Sequence, residues 1–325
     1  MIIPGFVDLQ VNGYLGTDFS SPELTADSFR DACRKLLAHG TAIFLPTMVT
    51  SPEGTFRRNL PLMAAVMSEP EFAGRMPGFH IEGPFISSEP GAVGAHNPAW
   101  VVAPDPGLLD RMVEWSGNRI RLLTVAAEVP GAESLIRHAH GRGITVSLGH
   151  HLAGEADLAR AAAAGARVLT HLGNGVPNVL PRHPNPIWAG LAEERLAMMV
   201  IADGHHLPAG VLKTMIRAKG IEDSIVVSDA SSLAGMPPGR YETLGNLAVL
   251  EPSGRLHNPE KGCLVGSSYT MLECMNFLAR QGWYDLETLV RLGVKNPLAL
   301  VGLDPSVSRP GPGLEYREER GFTPA

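Results

Sequence analysis

A chain of 325 residues with 44% hydrophobic and 18% charged residues is long and apolar enough to bury one large α/β barrel or two modest domains. Its formal net charge of −6, without a Lys/Arg-rich stripe, argues against a nucleic-acid partner while leaving room for a local basic pocket. Three cysteines without C-x-x-C spacing exclude a disulfide framework, and neither a basic leader nor an 18-residue apolar run occurs, so a soluble, cytoplasmic protein is expected, with no membrane span.

The first β-like run, GFVDLQV (5–11), is followed by TADSFRDACRKLLAHG, a helix opening on Thr25 as a cap and stopping at Gly40. Further β-like runs come at TAIFLPT (41–47), MPGFHIEG (76–83) and RIRLLTVAA (119–127). Four more follow: GITVSLGHH (143–151), RVLTHLG (167–173), LAMMVIADG (196–204) and SIVVSDA (224–230). Helical stretches separate most of them; GEADLARAAAAG ends on Gly165 and LPAGVLKTMIRAKG on Gly220. Strands joined by crossover helices favour a parallel sheet, and eight such units predict a (β/α)8 barrel over residues 1–303. A doubly wound sheet competes, but no G-x-G-x-x-G follows an early strand.

Residues 231–266 are too many for a simple connection and predict a small hairpin excursion after strand eight. SSYTMLECMNFLARQG then supplies a helix to complete the barrel, and DLETLVRLGVKNPLALVGL reads as helical. Residues 304–325, rich in Pro, Gly and charge, are expected to form an irregular surface tail.

Barrel chemistry sits at the C-terminal ends of the strands. There the third strand ends in Glu82, the fifth in His150, the sixth in His171, the seventh in Asp203-Gly204-His205-His206 and the eighth in Asp229. A lone histidine at a strand end is more often a packing residue; five ionisable ends at one level shift that balance. One carboxylate and two imidazoles make a three-ligand set for catalytic zinc that leaves a position for water. The acid ending strand eight can take a proton from that water and hand it to a leaving group. Metal-assisted hydrolysis of an amide or ester is what the residues alone support. The Gly- and Pro-rich loop after strand three carries His96 and is placed to orient a substrate. Asn174-Gly175 offer donors, and Arg182 with His183 offer positive charge for an anionic group; a solvated loop charge is the other reading of Arg182.

The segments PGFVDLQVNG, HIEGPFIS, GAHNP, VSLGHH, THLGNG, IADGHH, VVSDAS and GSSYTMLECMNFL occur in the order and spacing of the N-acetylglucosamine-6-phosphate deacetylases of the amidohydrolase superfamily. The resemblance spans residues 3–303. It implies that Glu82, His150 and His171 hold one divalent metal ion, usually zinc, and that Asp229 is the catalytic carboxylate. It further implies that His96 and His206 touch substrate, with His206 near the sugar or the reacting carbonyl. Asn174 and Gly175 resemble the segment that meets the phosphate, and Arg182 falls near an arginine that reaches the phosphate across a homodimer interface. The implied reaction turns N-acetylglucosamine 6-phosphate into glucosamine 6-phosphate and acetate.

The chain also departs from that pattern. Gln10 and Asn12 stand where the superfamily often has H-x-H, and two amides are poor zinc ligands, so a single metal is expected. His151 and His205 adjoin the proposed residues, and strand alternation should send only one of each pair inward. The small β-sandwich domain usual in the family is expected to be missing. LPRHPNPIWAG replaces the usual arginine-bearing G-R-E-P-G segment, which leaves a different or unphosphorylated N-acyl sugar, or a cyclic amide, as alternative substrates. A non-catalytic sugar-phosphate-binding protein is the remaining alternative, against which the intact Glu82, His150, His171 and Asp229 speak.

Overall fold

The computed structural model describes residues 1–243, 246–304 and 313–325. Its main sheet runs in chain order through β1 (Phe6–Val11), β2 (Thr41–Val49), β3 (Phe79–Glu82), β4 (Ile120–Val125), β5 (Thr145–Leu148), β6 (Ala166–Leu169), β7 (Ala197–Ile201) and β8 (Ser224–Val227). Every neighbouring pair is parallel. The sheet closes on itself just past β1 and β8, where Val11 bridges Ala230 and Asn12 N–H donates to the Ala230 carbonyl at 2.7 Å. Closure makes this the (β/α)8 barrel the eight units predict; a doubly wound sheet would have two open edges.

Helices α1 (Ala26–Ala38), α2 (Glu53–Met67), α3 (Pro106–Trp115), α4 (Ala132–Gly141), α5 (Glu155–Ala164), α6 (Pro186–Ala192) and α7 (Ala209–Lys219) follow the first seven strands. Thr25 caps α1 by accepting from Ser28 N–H at 3.1 Å, and Phe29, Ala32, Cys33, Leu36 and Leu37 form its buried stripe. Gly165 ends α5 at φ 118°, where a Cβ would lie 2.6 Å from the His140 ring, so glycine alone makes this turn.

Strand alternation divides the barrel into two environments. In β3, Phe79 and Ile81 join the apolar layer under the helices, while His80 and Glu82 point to the barrel axis. Inside, His80 Nε2 lies 2.8 Å from Thr124 Oγ1, Thr124 Oγ1 lies 2.8 Å from Thr170 Oγ1, and Ser147 bonds Thr170. Burial lowers His80 to about 4, so it sits there as a neutral hydrogen-bonding group. This polar layer forms the floor beneath the strand ends.

After β8 the expected hairpin excursion is present as a four-stranded antiparallel sheet of successive hairpins: β9 (Gly239–Thr243), β10 (Asn246–Leu250), β11 (Leu256–Asn258) and β12 (Cys263–Leu264). It has its own small core of Leu233, Ala248, Leu250, Leu256 and Val265, against which Ala95 packs from the loop after β3. The chain then returns through α8 (Met271–Arg280), and the expected helical segment follows as Leu286–Val290, a π turn at Arg291–Lys295, and Asn296–Leu300.

The tail differs from the irregular segment expected over 304–325. β13 (Leu314–Arg317) and β14 (Gly321–Pro324) form a hairpin, and Ile2–Ile3 pairs with β13, so both ends of the chain share a three-stranded sheet where no small β unit was expected. Phe322 packs edge-on against Phe6 with centroids 4.9 Å apart, and Asn276 bonds both backbone groups of Phe322. Residues 305–312 of the expected tail lie outside the described residues. Among the described residues, no helix is long and apolar enough to cross a membrane.

Candidate metal centre and active site

Glu82, His150 and His171 meet at the C-terminal mouth of the barrel, each buried, with one ligand atom apiece lying within 4.8 Å of the others. Glu82 is the last residue of β3, whereas His150 and His171 stand two residues beyond the ends of β5 and β6. His150 (φ 51°) and His171 (φ 29°) both have positive φ, and so does Asp229 (φ 51°), two residues past β8. This turn is uncommon outside glycine and costs on the order of 1 kcal/mol, so its recurrence at three strand ends in one site marks a built feature.

His171 Nε2 lies 2.9 Å and His150 Nε2 3.4 Å from Glu82 Oε1. His150 Nδ1 faces the Ala92 carbonyl at 2.8 Å; a carbonyl only accepts, so the proton sits on Nδ1 and Nε2 keeps its lone pair for a metal. Gly175 (φ 61°) passes so close that a Cβ there would lie 2.9 Å from His150 Nδ1. Burial raises the Glu82 carboxyl, but the neighbouring His150 and His171 outweigh it and hold it ionised, well below the usual range. One carboxylate oxygen and two imidazole nitrogens at this spacing fit a single divalent ion.

Asp229 is buried beside this cluster. Burial, then the charge of Glu82, raise its carboxyl above the usual range. Gln10 Nε2 donates to Glu82 Oε1 at 2.8 Å and to Asp229 Oδ1 at 3.0 Å, and Asn12 Nδ2 donates to Asp229 Oδ1 at 2.7 Å. The two amides thus turn their donors toward the carboxylates, which is the opposite of a ligand's orientation and accords with one metal. His206 Nδ1 lies 2.7 Å from Asp203 Oδ2, and Asp203 Oδ1 accepts the backbone N–H groups of His205 and His206 at 2.8 and 2.9 Å. Burial raises Asp203, but the His206 charge and these hydrogen bonds prevail and bring it to about 2.

The cavity over the cluster has a volume of about 330 Å³. Of the residues expected at the site, Glu82, His96, His150, His171, Asn174, Gly175, His206 and Asp229 all line it. His96 Nε2 lies 3.2 Å from His150 Nε2, and burial, reinforced by the neighbouring His150, lowers His96 to about 3. His151 is turned aside: its Nδ1 accepts from Ala153 N–H at 3.1 Å, and burial lowers it to about 4. His205 does line the cavity beside His206, so the inward-or-outward rule holds for the first histidine pair and not for the second. Arg182 does not line it and stands exposed, with His183, on the loop between β6 and α6. The sequence reading assigned no role to Asp203, whose place three residues before His206 was the available signal, nor to Arg255, Cys263 and Leu264, which the excursion brings to the cavity. A larger cleft of about 720 Å³ opens alongside, but it shares only Val49 and His96 with this cavity and holds none of the cluster.

No family model matches the chain. The N-acetylglucosamine-6-phosphate deacetylase of Danio rerio is 32% identical over 317 residues, covering 93% of this chain and 76% of that protein. The N-acetylgalactosamine-6-phosphate deacetylase of Escherichia coli O157:H7 is 29% identical over 318 residues, covering 96% of this chain and 81% of that protein. Among solved structures, the N-acetyl-D-glucosamine-6-phosphate deacetylase of Mycobacterium smegmatis superposes with a TM-score of 0.89 at 27% identity, covering 99% of this chain and 85% of the other. With the barrel, the strand-end cluster and these relatives in agreement, the chain belongs to the N-acetylglucosamine-6-phosphate deacetylase family of the amidohydrolase superfamily.

Proposed function

We propose that the chain is a metal-dependent deacetylase that releases acetate from an N-acetylated amino sugar phosphate, with N-acetylglucosamine 6-phosphate as its substrate. The observation that carries this reading is Asp229 standing on the cavity beside the Glu82–His150–His171 cluster, in a chain of this family. A zinc ion held by those three residues would polarise the acetamide carbonyl and acidify a water molecule. Asp229 takes the proton from the attacking water and delivers it to the sugar nitrogen as the C–N bond breaks, leaving acetate and a free amine. Gln10 and Asn12 keep the Asp229 carboxylate aimed for both transfers. His206, oriented by Asp203, donates to the carbonyl oxygen as it gains charge.

His96 contacts the sugar; its Nδ1 is buried and, among the described residues, without a hydrogen-bond partner, which supports that role. Asn174 and Gly175 meet the phosphate. Arg182 serves the cavity of a partner subunit in a homodimer, a reading supported by the exposed Val179 (87%) and Trp188 (55%) on either side of it in the chain. The free cysteines Cys33, Cys263 and Cys274 support a reducing, cytoplasmic location.

Acetate release by the metal-quantified protein tests the reaction, with N-acetylglucosamine 6-phosphate, its galacto counterpart and unphosphorylated N-acetylglucosamine offered in parallel. Asp229→Asn should keep its metal and lose turnover by roughly 10²- to 10⁴-fold. Normal turnover in that variant would remove Asp229 from the mechanism, and no acetate from any substrate would sink the deacetylase reading.

A further inference from the structure

A phosphate dianion entering the cavity meets two carboxylates, Glu82 and Asp229, and needs a cation close by. Among the described residues that line the cavity, Arg255 is its one arginine or lysine. It sits between β10 and β11, on the excursion, and borders the same space as Asn174, Gly175 and Asn178. The two walls are joined there, since Asn178 Nδ2 donates to the Gly262 carbonyl at 3.1 Å. Arg255 Nη1 reaches Glu251 Oε1 at a long 3.3 Å, and the same Glu251 oxygen lies 3.0 Å from His257 Nε2, so the carboxylate is shared and only partly committed to the arginine. Lys261, on the turn between β11 and β12, adds positive charge that reaches His96.

We propose that Arg255 reads the substrate's phosphate, so that the excursion supplies in cis a cation that Arg182 cannot supply to its own cavity. The inference rests on the phosphorylated amino sugar reading above and adds a specificity-determining residue to it. A guanidinium at half exposure can pair with a phosphate in a forked geometry while Glu251 holds its position. The four-stranded sheet then has a function beyond covering the barrel mouth, because it brings to the cavity an arginine that the other described lining residues do not include.

Calorimetric titration of the metal-loaded protein with glucosamine 6-phosphate and with glucosamine tests this without requiring turnover. Arg255→Ala should cut the preference for the phosphorylated sugar by on the order of 10- to 100-fold, the size of one charge-assisted hydrogen-bonded contact. Arg255→Lys should restore part of it, and glucosamine affinity should be unchanged. A wild-type protein with no preference overturns the proposal, as does an Arg255→Ala variant that keeps the preference or loses both sugars equally. Acetate release measured on the same samples keeps the two readings apart: an Arg255-dependent preference without acetate release sinks the deacetylase and leaves the phosphate contact standing.

Discussion

His150 and His171 reach the barrel axis through left-handed backbone turns placed two residues after their strands, and Asp229 repeats the device. Strand alternation favours His150 over His151, and His150 is the one that faces Glu82, but the cause is different, because β5 has already ended at Leu148. The φ of 51° swings His150 toward Glu82, and His151 follows into a buried niche as a neutral acceptor. Asp203 shows how a residue can matter at one remove. It lies behind His206 and also accepts from Ser267 Oγ at 3.1 Å, so it fixes the orientation of the His206 ring. Asp203→Asn should therefore lower kcat by roughly 10- to 100-fold while leaving metal content intact. Steady-state rates beside metal analysis check this, and unchanged rates would reduce Asp203 to a packing role.

Among the elements, those with a strong period were readable and those without one were not. Helix α1 carries its cap, stripe and terminal glycine in consecutive residues, so local chemistry specifies it. Strands β11 and β12 have 3 and 2 residues, too few for alternation to register, which is why the excursion was legible but its number of strands was not. Strands β13 and β14 go unread for another reason, since the contacts that hold them, the Phe6 ring and the Asn276 amide, come from far away in the chain. One contact between elements offers a pH test. His39, at the C-terminal end of α1, lies 2.6 Å from Glu273 in the first turn of α8, both partly exposed. The hydrogen bond that His39 donates to Glu273 raises His39 above 6.5 despite burial. Burial raises Glu273, but bonds from His39 and Thr270 prevail and lower it below 4.5. The His39 contribution is fully present below pH 6.5 and lost as pH rises through its raised folded pKa; the Glu273 contribution is lost only as pH falls below 4.5. Glu273→Gln keeps a capping residue at N3 and removes the charge. It should cost about 0.5 kcal/mol at pH 6, given solvent screening, and almost nothing at pH 9. Denaturant titrations at both pH values check it; an equal loss at each would assign the effect to the cap.

At the scale of the molecule, the metal cluster is a cross-link. Glu82, His150 and His171 come from the ends of β3, β5 and β6, so an ion held by all three ties together strands that are separate in the chain. Binding to the folded state alone stabilises it by about 4 kcal/mol at a free metal concentration 1,000 times Kd. Chelation should thus lower Tm and abolish acetate release, and added zinc should restore both. Glu82→Gln should show a much smaller thermal response to zinc, and a full response would place the ion elsewhere. The same scale explains what could be read in advance. Eight βα units, a closing helix and an ionisable group at each late strand end are local patterns of period and spacing, so the sequence by itself determined the barrel, the family and the metal cluster. The direction of side chains past the strand ends, the arrival of Arg255 at the cavity, the exclusion of Arg182 from it and the pairing of the two chain ends depend on contacts between distant segments. Those contacts exist only once Val11 meets Ala230 and the barrel closes, and the tertiary structure alone decided them.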